Sequence, residues 1–287
     1  MVPILGSLRQ AVSDSKVVDS KVFNLLGVQV QRTVAAHVIY SLRRGYVDER
    51  VRDTVAELDR EGVALVPNFL PQDQFEAIQR EHQTTLDNNP DKLVIFNHGP
   101  NRLEAGPLKN FEQTLLPNTL KFVNDPRLMA ILEAAEKRPL GPLSGSRAFE
   151  RLTQGPDNGT EDPETKLHSD IFFANHKAWL YLTDVGPENG PFVYVKRSHR
   201  IKPAMLYYVY KESCRQNGGS RRIAQEELQR LGLEESVITC PKNTLVVANV
   251  TGFHRRARGK PGYQRSAVNV SMRANPFTWW RYRTRTN

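Results

Sequence analysis

The sequence predicts a mainly β fold with flanking helices, a two-sheet jelly roll, and three observations carry that prediction. Residues 178–183 alternate, with Trp179, Tyr181 and Thr183 on one face and Leu180 and Leu182 on the other, the period of a half-buried strand. Three more apolar runs, at 192–195, 243–248 and 266–271, follow in the same half of the chain. The residues before position 90 carry helical spacing instead, so helices precede the strands.

In chain order, residues 1–47 read as an N-terminal helical extension. Leu26, Val30, Val34, Val38 and Leu42 recur at helical spacing, and Arg43-Arg44-Gly45 supplies a stop. Such a helix packs on the main domain or on a dimer partner. Peripheral contact with a membrane also stays open, although that usually needs a larger basic moment. A charged helix, VDERVRDTVAELDREG, runs to Gly62, and the strand VALV follows at 63–66. A second helix restarts after Pro71. Residues 88–165 mix short strands with Pro, Gly and Asn turns and end in the acidic loop GPDNGTEDPET. Asn189-Gly190, between the runs at 178–183 and 192–195, is a hairpin-like signal. A polar helical insertion spans 211–235, so residues 48–287 read as one domain with that insertion.

With 39% hydrophobic and 25% charged residues the chain is expected to be globular. Cys214 and Cys240 are too few for a disulfide framework, which points to a reduced, cytoplasmic setting. The start, MVPILGSLRQ, lacks the basic stretch of a secretion signal. No apolar run approaches the roughly 20 residues of a transmembrane helix. The net charge of +9 is uneven: from Ser236 to Asn287 there are ten Lys or Arg and no Asp or Glu. Either an anionic partner meets that segment or it is a solvated basic face.

The stretch TKLHSDIFF places His168 and Asp170 two positions apart in an apolar run. On a strand, residues i and i+2 share a face, so one imidazole and one carboxylate stand together. That is two-thirds of a two-histidine, one-carboxylate metal site. Of the seven histidines, His37 sits in the N-terminal helix, and His82 and His98 precede the β-rich half. His176 follows HSDIFF into a polar turn, and His199 ends a hairpin. His254 closes the strand-like run NTLVVANVTGFH and is the predicted third ligand. Three protein ligands leave three positions of an octahedron, which suits Fe(II) binding a chelating cosubstrate together with O₂; a structural zinc site would want four closed ligands. If the chelator is 2-oxoglutarate, its far carboxylate needs a buried, permanently charged partner. Arg265 opens the next strand, sharing a face with Ala267, Asn269 and Ser271. Arg255, Arg256 and Arg258 are rivals in the intervening turn.

The runs LHSDIFFANHKAWLYLTDVGPENGPFVYVKRSHR and NTLVVANVTGFHRRARGKPGYQRSAVNVSMR resemble the phytanoyl-CoA dioxygenase family of Fe(II)/2-oxoglutarate oxygenases. The likeness covers about residues 50–275. It implies a double-stranded β-helix, cupin-like, with His168, Asp170 and His254 on iron and Arg265 on the cosubstrate. It further implies Trp179 as a wall of the cosubstrate pocket. Position 256 departs from the family, being Arg where a small hydroxyl residue can assist the cosubstrate, and Arg256 becomes a candidate for an anionic substrate. An aspartate at 170 leaves no vacancy for halide, so hydroxylation is favoured, with desaturation, epoxidation or ring closure also open. The expected activity is oxidation of an unactivated C–H bond in a small anionic or polyhydroxylated metabolite, in biosynthesis. The alternatives are a nucleic-acid-modifying oxygenase, which would need a contiguous basic groove with exposed stacking aromatics and bind with steep salt dependence, a non-oxidative metal isomerase, and a binding protein that has lost activity. The tail FTWWRYRTRTN interleaves Trp279, Trp280 and Tyr282 with arginine, to stack on a partner or to pack on its own domain.

Overall fold

A computed structural model describes residues 13, 15, 16, 18–140, 145–215, 221–272 and 275–278. Its helices are α1 (Lys21–Leu25), α2 (Val28–Leu42), α3 (Arg52–Glu61), α4 (Gln72–Asn88), α5 (Pro117–Val123), α6 (Pro126–Glu136), α7 (Pro203–Arg215) and α8 (Gln225–Arg230). The strands are β1 (Val63–Val66), β2 (Val94–His98), β3 (Asn101–Pro107), β4 (Ser146–Thr153), β5 (His168–Ser169), β6 (His176–Tyr181), β7 (Phe192–Val195), β8 (Arg221–Arg222), β9 (Glu235–Ile238), β10 (Leu245–Asn249), β11 (His254–Arg256) and β12 (Gln264–Ser271). They pair in two sheets, ordered β1-β10-β6-β12-β4-β3-β2 and β8-β5-β11-β7-β9. Neighbours run antiparallel throughout, so the expected jelly roll is the fold.

Each face of the larger sheet has its own partner. Inward, Tyr181, Val246 and Ala267 meet Phe192, Tyr194 and Ile238 of the smaller sheet. Outward, Leu180, Val247, Val268 and Val270 pack under α3 to α6, against Leu58, Phe75, Phe122 and Leu128. β10 is buried on both faces, which is why LVVAN reads as a continuous apolar run rather than an alternation.

Several local expectations change. Asn189-Gly190 does not turn a hairpin, because β6 and β7 lie in different sheets. Gly190, at φ +67°, carries the chain from one sheet to the other, and both kinds of turn need the left-handed conformation that glycine adopts freely. α5 and α6 occupy a stretch expected to hold short strands and turns. Pro117 and Pro126 open these helices, where a proline loses no intrahelical bond. Asp125 caps the second by accepting from Arg127 N at 2.8 Å. The insertion begins at Pro203 rather than 211, and strands beside it extend the smaller sheet, β9 on β7 and β8 on β5.

The N-terminal helix is broken by Gly27, at φ +78°, and its predicted apolar stripe is not its buried face. Leu26, Val38 and Leu42 are 66%, 50% and 76% exposed, while Gln29, Arg32, Thr33 and Ala36 are buried. The docking surface decides this. Ala36 leaves room for Ile171, Phe172 and Phe173, and the Arg32 guanidinium lies 3.9 Å over the Phe172 ring. Arg32 also donates to Gln29 Oε1 and to the Ser15 carbonyl, each at 2.9 Å. An aromatic face and two acceptors replace the water this charge loses.

Candidate metal centre

The smaller sheet puts His168 of β5 and His254 of β11 directly opposite each other, with ring centroids 4.6 Å apart. β5 ends at Ser169, so Asp170 is not a third residue of that strand. Its N–H instead donates to the Val250 carbonyl at 3.0 Å, which holds the side chain beside the two rings. One ligand atom from each of His168, Asp170 and His254 lies within 4.8 Å of the others. Asp170 Oδ1 is 3.6 Å from Nε2 of both histidines.

The backbone fixes which nitrogens face that point. His168 Nδ1 lies 2.8 Å from the Lys166 carbonyl and His254 Nδ1 lies 2.9 Å from the Gly252 carbonyl. A carbonyl only accepts, so the proton is assigned to Nδ1 and the lone pair to Nε2 in each ring. Two lone pairs and a carboxylate oxygen aimed at one point repel unless a cation stands between them, and this donor set fits a divalent metal ion. Both histidines are buried. Burial, reinforced by the neighbouring His254, pushes the His168 pKa down to about 4. Burial would raise the Asp170 carboxyl, but the Lys177 ammonium and His254 hold it well below the usual carboxylate range.

Arg265 lies on the inner face of β12, its guanidinium carbon 5.5 Å from the Tyr181 ring centroid. Its Nη1 donates to the Gly190 carbonyl at 2.6 Å. Trp179 is opposite Asn269 of β12 and packs on Phe192, at 5.2 Å between rings. Arg256 does not present a free charge: its Nη1 is 2.9 Å from Asp162 Oδ2, with side chains only 10% and 3% exposed. Burial and nearby Arg265 lower its pKa from the ordinary arginine value. Arg255 pairs with Glu235 at 2.6 Å and Lys260 with Glu188 at 3.4 Å. The basic run around His254 is therefore largely neutralised within the fold. Arg258 instead lines a cavity of about 460 Å³ with Asp157, Glu161 and Asp162. His176, expected in a polar turn, opens β6 and is buried against Glu136, with Nδ1 2.8 Å from Oε1. Trp279, Trp280 and Tyr282 lie outside the described residues.

Sequence reasoning passed over three neighbours of the centre. Lys177 Nζ is 2.6 Å from Asp170 Oδ2. Glu164 Oε2 is 3.4 Å from His168 Nε2. The Phe192 ring is 5.5 Å from that of His254. Lys177 had a signal, since it stands two residues before Trp179 on the same inward face. Glu164 sits in the acidic loop, where charge alone gives no direction.

An antiparallel jelly roll carrying that donor set is the layout of the non-haem iron, 2-oxoglutarate-dependent enzymes, and this chain is one of them. It belongs to the phytanoyl-CoA dioxygenase family, whose model matches residues 58–235. That span holds His168, Asp170 and Trp179 and stops before His254 and Arg265, which the sheet pairing brings in. The epimerase SnoN, solved with Fe3+, alpha ketoglutarate and nogalamycin RO, is 16% identical over 78% of this chain and 84% of its own, with a TM-score of 0.58. AviO1 from Streptomyces viridochromogenes Tue57 is 13% identical over 79% and 95%, at 0.53. The carbocyclase SnoK from nogalamycin biosynthesis is 18% identical over 78% and 84%, at 0.50. At such identities the likeness is one of fold. No curated protein matches the sequence. Among the described residues no helix is long and apolar enough to cross a membrane.

Proposed function

We propose that this chain oxidises an unactivated C–H bond of a small, hydroxyl-bearing metabolite in a biosynthetic pathway, with His168, Asp170 and His254 as its iron ligands. The convergence of three donor atoms within 4.8 Å, with both Nδ1 protons tied to carbonyls, carries this reading. Bound iron and 2-oxoglutarate would supply the oxidising chemistry, coupled to decarboxylation of the oxo acid. Arg265 would hold the distal carboxylate: it faces the interior, is permanently charged and donates to the neutral Gly190 carbonyl. Trp179 and Tyr181 would wall that pocket, and the apolar packing of Phe192 and Val246 would keep water from it. The catalytic unit would span residues 48–287, with Arg32 and Ala36 of α2 bracing the segment after Asp170. Two unpaired cysteines support a cytoplasmic setting.

For the substrate, the paired Arg255 and Arg256 favour the polyhydroxylated reading over the anionic one. Glu164, 39% exposed beside His168, is an acceptor for a substrate hydroxyl. The same pairing weighs against a nucleic-acid substrate. The deciding experiment is an anaerobic titration of metal-free protein with Fe(II) and then 2-oxoglutarate, following the visible charge-transfer band of the chelate. The band is expected in wild type and lost in His254→Ala. Iron uptake without any band would refute the 2-oxoglutarate reading and return attention to a cosubstrate-independent metal enzyme.

A further inference from the structure

We propose that Lys177 is a positioning residue that confines Asp170 to a single ligand oxygen. This rests on the metal reading above and goes beyond it. A carboxylate can offer a metal either oxygen or both. Here the two oxygens of Asp170 have different surroundings: Oδ1 stands 3.6 Å from each Nε2, while Oδ2 is held by Lys177 Nζ at 2.6 Å. The lysine comes from the other sheet. It lies on the inner face of β6 between Ala248 of β10 and Ser271 of β12, small neighbours that leave its stem room to cross toward β5.

The ion pair is shielded, with side chains 27% and 18% exposed, so its charge-assisted bond is not dissipated by solvent. Lys177 and the cation assigned to the cosubstrate start from separate points of the larger sheet: Ser271, the partner of Lys177 on β12, is six residues from Arg265, about 20 Å along a strand. Both charges act on the buried Glu150 carboxyl, while Asp170 pairs with Lys177. With Oδ2 occupied, the protein contributes three donor atoms rather than four, which preserves the open positions that a three-ligand site depends on.

The test is cobalt substitution, read without cosubstrate and without turnover. Co(II) ligand-field spectra are compared for wild type, Lys177→Met, Lys177→Gln and Lys177→Arg, with thermal melts of the metal-free proteins to establish folding. Methionine cannot donate to Oδ2 and glutamine is one bond too short to reach it. Both should bind cobalt with shifted bands, as two-oxygen chelation replaces one solvent ligand and distorts the octahedron. Both should also bind 2-oxoglutarate about tenfold more weakly in the Fe(II) titration. Arginine should restore the wild-type spectrum. Wild-type spectra in Met and Gln variants would overturn the proposal. So would an Arg variant as disturbed as the other two, since that would make Lys177 a packing residue only. If wild type takes up no cobalt, the metal reading itself fails, an outcome distinct from the other two.

Discussion

Replacing Arg265 by alanine tests the cosubstrate end of the pocket most directly. The guanidinium is inward-facing over Tyr181, and its Nη1 bond to the Gly190 carbonyl leaves further N–H groups for a ligand. A carboxylate meeting it would gain two charge-assisted hydrogen bonds, each worth about 1.5–3 kcal/mol. Counting one of them as offset by lost hydration, the net loss in Arg265→Ala should be about 1.5–3 kcal/mol, or roughly 10- to 150-fold in the dissociation constant. The assay is the anaerobic charge-transfer titration, run with 2-oxoglutarate and with a 2-oxo acid of similar length that ends in a methyl group. Wild type should prefer 2-oxoglutarate strongly, and the variant should lose that preference while binding the methyl-ended acid as wild type does. Arg256→Gln, whose guanidinium is already paired with Asp162, should change the 2-oxoglutarate constant by less than about threefold. Equal weakening toward both acids in Arg265→Ala, or a larger loss in Arg256→Gln, would refute the assignment of the distal carboxylate to Arg265.

The Arg256–Asp162 pair itself should be structural. Arg256→Met strands a buried carboxylate that also accepts from Asn101 Nδ2 at 2.8 Å, and should destabilise by about 3–5 kcal/mol in denaturant melts; adding Asp162→Leu should recover part of that loss. Gly252→Ala should lower both stability and cobalt affinity, because its Cβ would strike the Tyr194 hydroxyl and displace the carbonyl that orients His254; unchanged affinity would argue against that orienting bond. Acid should destabilise the metal-free protein well above carboxylate pH. Burial lowers the pKa values of His82, His168 and His199 to about 4 in the folded chain, against about 6.5 when unfolded. The unfolded chain therefore binds protons first, so this stability is full above pH 6.5 and is lost as pH falls toward 4, by up to about 3 kcal/mol per histidine. Stability measured across that window should lose about one proton of slope in His82→Leu.

The strand-forming half is legible in the sequence alone, which also nominates His168, Asp170, His254 and Arg265 as candidate site residues. These are local or spacing properties: an alternation with period two, a ligand chemistry confined to few residue types, and an arginine placed on an inward strand face. It also carried the family likeness, even though the family match ends at residue 235. Which charges remain available depends on contacts that form across the folded chain. Arg256 finds Asp162 across 94 positions, and Lys177 reaches Asp170 from the opposite sheet; neither pairing follows from sequence spacing, because both depend on how two sheets face each other. The N-terminal helix makes the same point from the other side. Its periodicity marked an apolar stripe, yet the surface it docks on offers Phe172 to a guanidinium and a tight fit to Ala36. Which helical face is buried is set by the partner surface as well as by the helix, and that surface exists only once the chain has folded.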